Sequence, residues 1–256
     1  YQGVKKSKHD ELNEILENVV VKGGIVTEDM KQLARTKLLD FYYEKGFQDT
    51  EVRVVEMPDT SKSNAVQLRF EVDRKKRVKI KEIDFVGNDN AKDWRLRRKL
   101  AETKTQLNIL KKSKFIQEDF DTDKNAIINY YNNIGFRDAK IEGDSVWRDE
   151  KGKIHIKVFV DEGNKFFFRD ISWKGNSIYD QEYLERVLGI EKGDVYNKDL
   201  LEKRLTFSLD GRDVSSLYMD DGYLMFRVDS VEKAIEGDSI DIEIRITEGP
   251  QVSIDR

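Results

Sequence analysis

Three stretches of the chain alternate between apolar and mostly polar positions. They are Val66, Leu68, Phe70 and Val72; Ile154, Ile156, Val158 and Val160; and Ile240, Ile242, Ile244 and Ile246. A period of two over seven residues predicts a strand with one face buried. A second strand pattern follows each of the first two. Val78, Ile80, Ile83 and Phe85 share their spacing with Phe166, Phe168, Ile171 and Trp173. Both sets skip one step midway, which predicts a common bulge or bend. Val252 and Ile254 start the pattern once more.

The recurrence extends to punctuation. Tyr42-x-x-x-Gly46-Phe47, Tyr131-x-x-x-Gly135-Phe136 and Tyr218-x-x-x-Gly222-Tyr223 place their glycines 89 and 87 residues apart. Ile83-x-Phe85-x-Gly87-Asn88 returns 88 residues later as Ile171-x-Trp173-x-Gly175-Asn176. Tyr1-x-Gly3 stands 84 residues before Phe85-x-Gly87, so the chain is expected to begin inside a first copy. A period of this size is the mark of a tandem array.

Between the first strand and the Tyr-x-x-x-Gly motif the spacing turns helical. Leu184, Val187 and Leu188 form one apolar stripe. Asn197 is a candidate N-cap for a second helix, and Gly222 sits where a helix end needs a left-handed residue. Strand patterns follow each such glycine at 49–56, 138–147 and 224–231. Each unit therefore reads strand, helix, helix, strand, strand. The predicted fold class is α+β: a tandem array of three β-α-α-β-β modules, each a three-stranded mixed sheet covered by two helices. The expected boundaries are 1–75 (first strand truncated), 76–164 and 165–250, with 251–256 opening a further repeat. The third copy is expected to carry its extra residues within the second helix, around 209–213.

Residues 218–223, Tyr-Met-Asp-Asp-Gly-Tyr, raise the possibility of a metal-binding carboxylate pair. The repeat argues against it. Asn133–Ile134 and Glu44–Lys45 stand at the positions of Asp220–Asp221, so the tyrosine and glycine recur and the acids do not. The pair is expected to be the solvated end of a helix, and Tyr42, Tyr131 and Tyr218 to pack helix on sheet. Gly46, Gly87, Gly135, Gly175 and Gly222 are read as structural glycines. No catalytic residue, metal site or cofactor is expected.

Composition narrows the function. Of 256 residues, 46 are Lys or Arg and 50 are Asp or Glu, a net charge of −4 with the signs interspersed. Nucleic acid is a poor match, because phosphate binding needs a concentrated positive field. The basic runs at 74–81 and 111–114 read as solvated faces. There is no cysteine, which removes disulfides and thiolate metal sites. The two histidines, His9 and His155, have no ligand pattern near them. The absence of a nucleophile with a base, or of a phosphate loop, argues against an enzyme.

These motifs, with Leu-Gly-Ile-x-Lys-Gly-Asp-x-Tyr-Asn at 188–197 and Glu-Gly at 162–163 and 248–249, resemble the POTRA repeat, the polypeptide-transport-associated domain of the Omp85 superfamily. The first copy departs, with Arg74-Lys75 where the others have Glu-Gly. The resemblance implies the periplasmic part of a bacterial outer-membrane protein, with a membrane barrel following Arg256. It also implies unfolded outer-membrane proteins and accessory periplasmic lipoproteins as partners. The alternatives are a POTRA array of another machine, for two-partner secretion or TamA-like translocation, or a passive spacer.

A three-stranded sheet has two open edges of unpaired N–H and C=O groups. In the family's sheet the strand after the Tyr-x-x-x-Gly helix is an edge, so an extended client could add to it through main-chain hydrogen bonds. Val52, Val54, Ala139, Ile141, Leu224, Phe226 and Val228 are the residues expected to shape that groove. Trp94 and Trp147 are candidate partner contacts. The joints, only one to three residues long, are expected to bend without tumbling freely, with Pro250 stiffening the last.

Overall fold

A computed structural model describes residues 1–59, 65–107, 113–209 and 211–253. Two compact units divide the chain. One comprises residues 1–84, 100–123 and 144–158, the other 85–99, 124–143 and 159–256. No helix among the described residues is long and apolar enough to cross a membrane.

The first unit opens with Gln2, which bridges Glu71 in parallel fashion and exchanges backbone hydrogen bonds with Phe70 and Val72 at 2.8 and 2.9 Å. Helices α1 (His9–Leu16) and α2 (Glu28–Glu44) follow, then strands β1 (Glu51–Pro58) and β2 (Val66–Asp73). β1 and β2 are antiparallel, with Val52 opposite Val72 and Val54 opposite Phe70. The alternation in β2 turns Phe70 and Val72 onto Leu12, Leu16, Ala34, Leu38 and Tyr42 of the two helices. Thr27 caps α2 by accepting from the Met30 amide at 3.1 Å.

Next come β3 (Ile80–Val86), α3 (Asp93–Lys99), α4 (Gln117–Asn132), β4 (Lys140–Arg148) and β5 (Ile154–Asp161), with sheet order β3-β5-β4. The apolar positions of the alternating strand, Ile154, Ile156, Val158 and Val160, are all buried.

The second unit ends with β6 (Phe167–Lys174), α5 (Gln181–Leu188), α6 (Lys198–Thr206), α7 (Val214–Asp220), β7 (Arg227–Glu236) and β8 (Ser239–Thr247). The order is β6-β8-β7, with β6 parallel and β7 antiparallel to the central β8. The register of β6 slips between Phe168 and Asp170, the bulge that the skipped step predicts. Ile240, Ile242, Ile244 and Ile246 pack against Leu184, Leu188, Leu201, Leu205 and Tyr218. The fully buried Tyr218 ring stacks on Phe226 at 4.2 Å and meets Tyr223 edge-on at 6.0 Å.

The third module departs from the expected two helices. Its second helical stretch is broken, α6 ending at Thr206 and α7 starting at Val214. The break is chemical. The Asp213 carboxylate accepts from the amides of Ser208 and Ser216, both at 2.8 Å, capping α7 and holding the loop before it. Asp210 lies outside the described residues, as do Ile254 and the rest of the segment 254–256.

Glycine is obligatory where the first strand ends. Gly3, Gly87 and Gly175 have φ between +80 and +86°. A Cβ there would lie 2.2, 2.1 and 2.1 Å from the carbonyl oxygens of Val72, Val160 and Ile246. Neither the dihedral nor the space admits a side chain.

Candidate functional site

The sheet edges are unequal. In the third sheet the linker after α5 returns along β6. Phe168 N donates to Asp194 O, Gly193 N to Phe168 O and Tyr196 N to Phe166 O, at 2.7–2.9 Å. The middle sheet repeats the device more sparsely: Gln106 N donates to Ile80 O, and Ile80 N donates to Ser113 Oγ, both at 2.8 Å. The strand pattern predicts two open edges per sheet. The structure narrows this, because the edge of the first strand is partly sealed by its own linker. The strands at the other border are β4 and β7, with the alternating strand central in each sheet.

These border strands differ from the sequence expectation in extent. β4 begins at Lys140 and β7 at Arg227, so Ala139, Leu224 and Phe226 lie in the turns before them. The turn residues follow the glycine because Phe136 O and Tyr223 O accept from the amides of Ala139 and Phe226 at 3.2 and 3.0 Å. Val52, Ala139, Phe226 and Val228 are buried. Val52, Phe226 and Val228 belong to the cores beneath the helices, so they support the edge from behind. Val54 and Ile141 are half-buried on their strands, and Leu224 is exposed. On β1 the Val52 carbonyl already accepts from Arg35 Nε at 3.0 Å. A register shift between Glu232 and Ala234 bulges β7 toward its far end.

The Tyr-x-x-x-Gly motifs build joints. Gly46, Gly135 and Gly222 have φ of +83, +103 and +88° and close their helices. Each also offers its carbonyl to the next module's first strand: Val78, Phe166 and Val252 donate to Gly46, Gly135 and Gly222 at 3.0, 2.8 and 2.9 Å. Side chains reinforce each joint. Gln48 donates to Phe115 O at 2.8 Å, and Arg148 at the end of β4 reaches Asp49 and Gln48 at 2.7 and 2.8 Å. Arg137, just after Gly135, grips Glu232 of β7 through Nε at 2.9 Å and Nη2 at 2.5 Å. That pairing leads the lowering of the Glu232 carboxyl below its ordinary range. Tyr196 donates to the same carboxylate at 2.9 Å. The short linkers are therefore bonded on both flanks, which connection length alone could not reveal.

The closing Glu-Gly motif has a further role. Glu248 accepts from the amides of Ser177 and Ile178 at 2.7 and 2.9 Å, from Ser177 Oγ, and from the Tyr218 hydroxyl at 3.0 Å. Burial opposes its ionisation, but these donors outweigh it and hold the carboxyl low. Glu162 likewise accepts from the Asn90 amide at 3.0 Å and its side chain at 2.7 Å. Each carboxylate fastens the end of the central strand to the turn after the first strand. In the first copy Arg74 takes this place and lies over the Phe47 ring at 4.5 Å.

Asp220 is the last residue of α7 and Asp221 its C-cap. The Asp221 carboxylate accepts from the Tyr179 hydroxyl. Burial first, then this hydrogen bond, pushes the pKa of that phenol up to about 12. Among the described residues, no three His, Asp or Glu side chains are grouped as a metal ion would need.

Comparison with known proteins gives a consistent picture. The POTRA model, described as "Surface antigen variable number repeat", matches residues 78–163 and 166–249. The outer membrane protein assembly factor BamA of Neisseria meningitidis serogroup B is 29% identical over 140 residues, covering 53% of this chain and 17% of that protein. A putative outer membrane protein assembly factor of Treponema pallidum is 20% identical over 230 residues, covering 87% of this chain and 26% of that protein. The chain thus spans only a minor part of these relatives. Among solved structures, the POTRA3-5 fragment of Haemophilus influenzae BamA is 16% identical with a TM-score of 0.46, covering 96% of this chain and 92% of that one.

Proposed function

This chain belongs to the POTRA family, and from that premise we propose that it is the periplasmic arm of an outer-membrane barrel assembly protein. It receives extended segments of unfolded outer-membrane proteins by strand addition and scaffolds accessory lipoproteins. No catalytic step is involved. The reading rests on one observation: in the middle and third sheets the first-strand edge is covered by its own linker, while β4 and β7 stand at the opposite border. A client strand would add there, near Ile141 and between Arg227 and Val231. Main-chain pairing is indifferent to side-chain identity, so many clients are accepted weakly. On β1, Val54 stands at the position of Ser230, eight residues after the glycine.

The test is site-specific photocrosslinking from the exposed border positions Glu142 and Ser230, with proline placed at Val54, Ile141 or Val228 to remove ladder hydrogen bonds. Crosslinks to an unfolded barrel protein, lost in the folded proline variants together with barrel assembly, are the expected result. Normal crosslinking and assembly in all three would overturn it.

A second reading is favoured by the joints. Glycine carbonyls bonded across each boundary, and Arg137 on Glu232, suit a stiff spacer. Crosslinks that persist only to lipoproteins and never to clients would select it.

A further inference from the structure

One group of cations on the middle module gathers around an exposed aromatic ring. On α3, Trp94 is 49% exposed. The guanidinium carbons of Arg95 and Arg98 lie 5.3 and 5.8 Å from its ring centroid. Lys99 Nζ stands 4.8 Å from the ring of Tyr130 on the neighbouring α4. These five residues and Ile134 line a groove of about 460 Å³. Among the described residues none of Arg95, Arg98 and Lys99 has a carboxylate partner, in a chain where acids outnumber bases.

The third module shows what the same surface looks like when it is satisfied internally. Carried forward by the repeat, Trp94 becomes Glu182, Arg95 becomes Tyr183, Arg98 becomes Arg186, Ala91 becomes Tyr179 and Ile134 becomes Asp221. There Arg186 pairs with Glu182 at 3.4 Å. Tyr179 stacks on Tyr183 at 5.4 Å and donates to Asp221. Cation, carboxylate and filling ring all come from the chain itself. In the middle module the ring and both acids are missing, and an exposed tryptophan and three unpaired cations remain.

We propose that the α3–α4 groove of the middle module is a docking site for an acidic peptide segment that also carries an apolar side chain. The partner's carboxylates take the place of Glu182 and Asp221, and its apolar side chain takes the place of Tyr179. Carboxylates would engage Arg95 and Arg98 through charge-assisted hydrogen bonds, while the apolar group packs on Trp94 and Ile134. A concave site between two helices fits a side chain better than it fits the flat surface of a membrane. The site is separate from the sheet borders and does not depend on strand addition.

The test is fluorescence anisotropy with a labelled peptide of about ten residues, alternating Glu with Leu and Phe. A Lys-for-Glu version and vesicles containing phosphatidylglycerol serve as the other arms. Binding of the acidic peptide alone is expected, weakening at least tenfold as NaCl rises from about 50 to about 500 mM. Arg95→Glu with Arg98→Glu, and separately Trp94→Ala, should each weaken it at least tenfold. Ile134→Asp supplies the internal carboxylate of the third module and should weaken it too. This single substitution at a helix end keeps the test decisive if the double variant misfolds. Equal affinity for all variants, or vesicle binding through these residues without peptide binding, would overturn the proposal.

Discussion

At the scale of single residues, Glu248 ties a turn and a helix of the third module to the end of its central strand. Its carboxylate satisfies two backbone amides and two hydroxyls contributed by a turn and a helix. Glu248→Ala would leave those donors searching for water, at a cost of about 2–3 kcal/mol in denaturant unfolding of this module. The glycine before that turn is equally constrained. Gly175→Ala places a methyl 2.1 Å from the Ile246 carbonyl at a φ of +86°, and should cost more than about 2 kcal/mol. Glu243 carries a pH signature. Lys174 at 2.8 Å and Arg245 at 2.8 Å, with Lys233 at 3.3 Å, hold its carboxyl down to about 2. A depressed carboxyl adds stability above its unfolded range, near pH 4.5, and loses it as pH falls toward 2. Glu243→Gln should therefore lower Tm at pH 7, with the deficit shrinking steadily between about pH 5 and pH 2. A deficit independent of pH would contradict the assignment.

At the scale of elements, the starts of α2, α5, α6 and α7 are each capped by one side chain. Asn197 accepts from the Leu200 amide at 2.9 Å, and Asn197→Ala should cost about 1 kcal/mol. Asp213→Ala should cost more, because it also releases the Ser208 loop that separates α6 from α7. Urea titration of the two variants checks the order. Much of this level was legible in the sequence. The alternating strands, the β6 bulge, the Asn197 cap and the recurring glycines follow from local spacing. The break between α6 and α7 was not, because Asp213 looks like any helical polar residue until its two serines are placed around it. Nor was the burial of Val52, Phe226 and Val228. Alternation says that one face is covered, but not how closely the helices pack over these positions. The Trp94 cluster also escaped spacing arguments, since Arg95 and Arg98 meet one ring only when α3 is wound and Tyr130 only when α4 lies beside it.

At the scale of the molecule, the repeats are linked through paired hydrogen bonds rather than tethers. Arg137 holds Glu232 through two nitrogens, and its loss should loosen the link without unfolding either side. Spin labels at positions 92 and 192 would report it. Arg137→Ala is expected to broaden their distance distribution by pulsed EPR while leaving the circular dichroism spectrum unchanged. An unbroadened distribution would mean that the Gly135 carbonyl and its partner suffice.

The carbonyl of Gly135 has a practical corollary for dissecting such arrays. Excising a repeat at its sequence border, before Lys165, strips Phe166 of its acceptor and Glu232 of its counter-ion in one cut. A fragment that retained the preceding stretch from Tyr131 to Arg137 would keep both. Because a cut that far upstream would also take β4 and the central β5 from the middle module, the middle and third modules recombine best as one block.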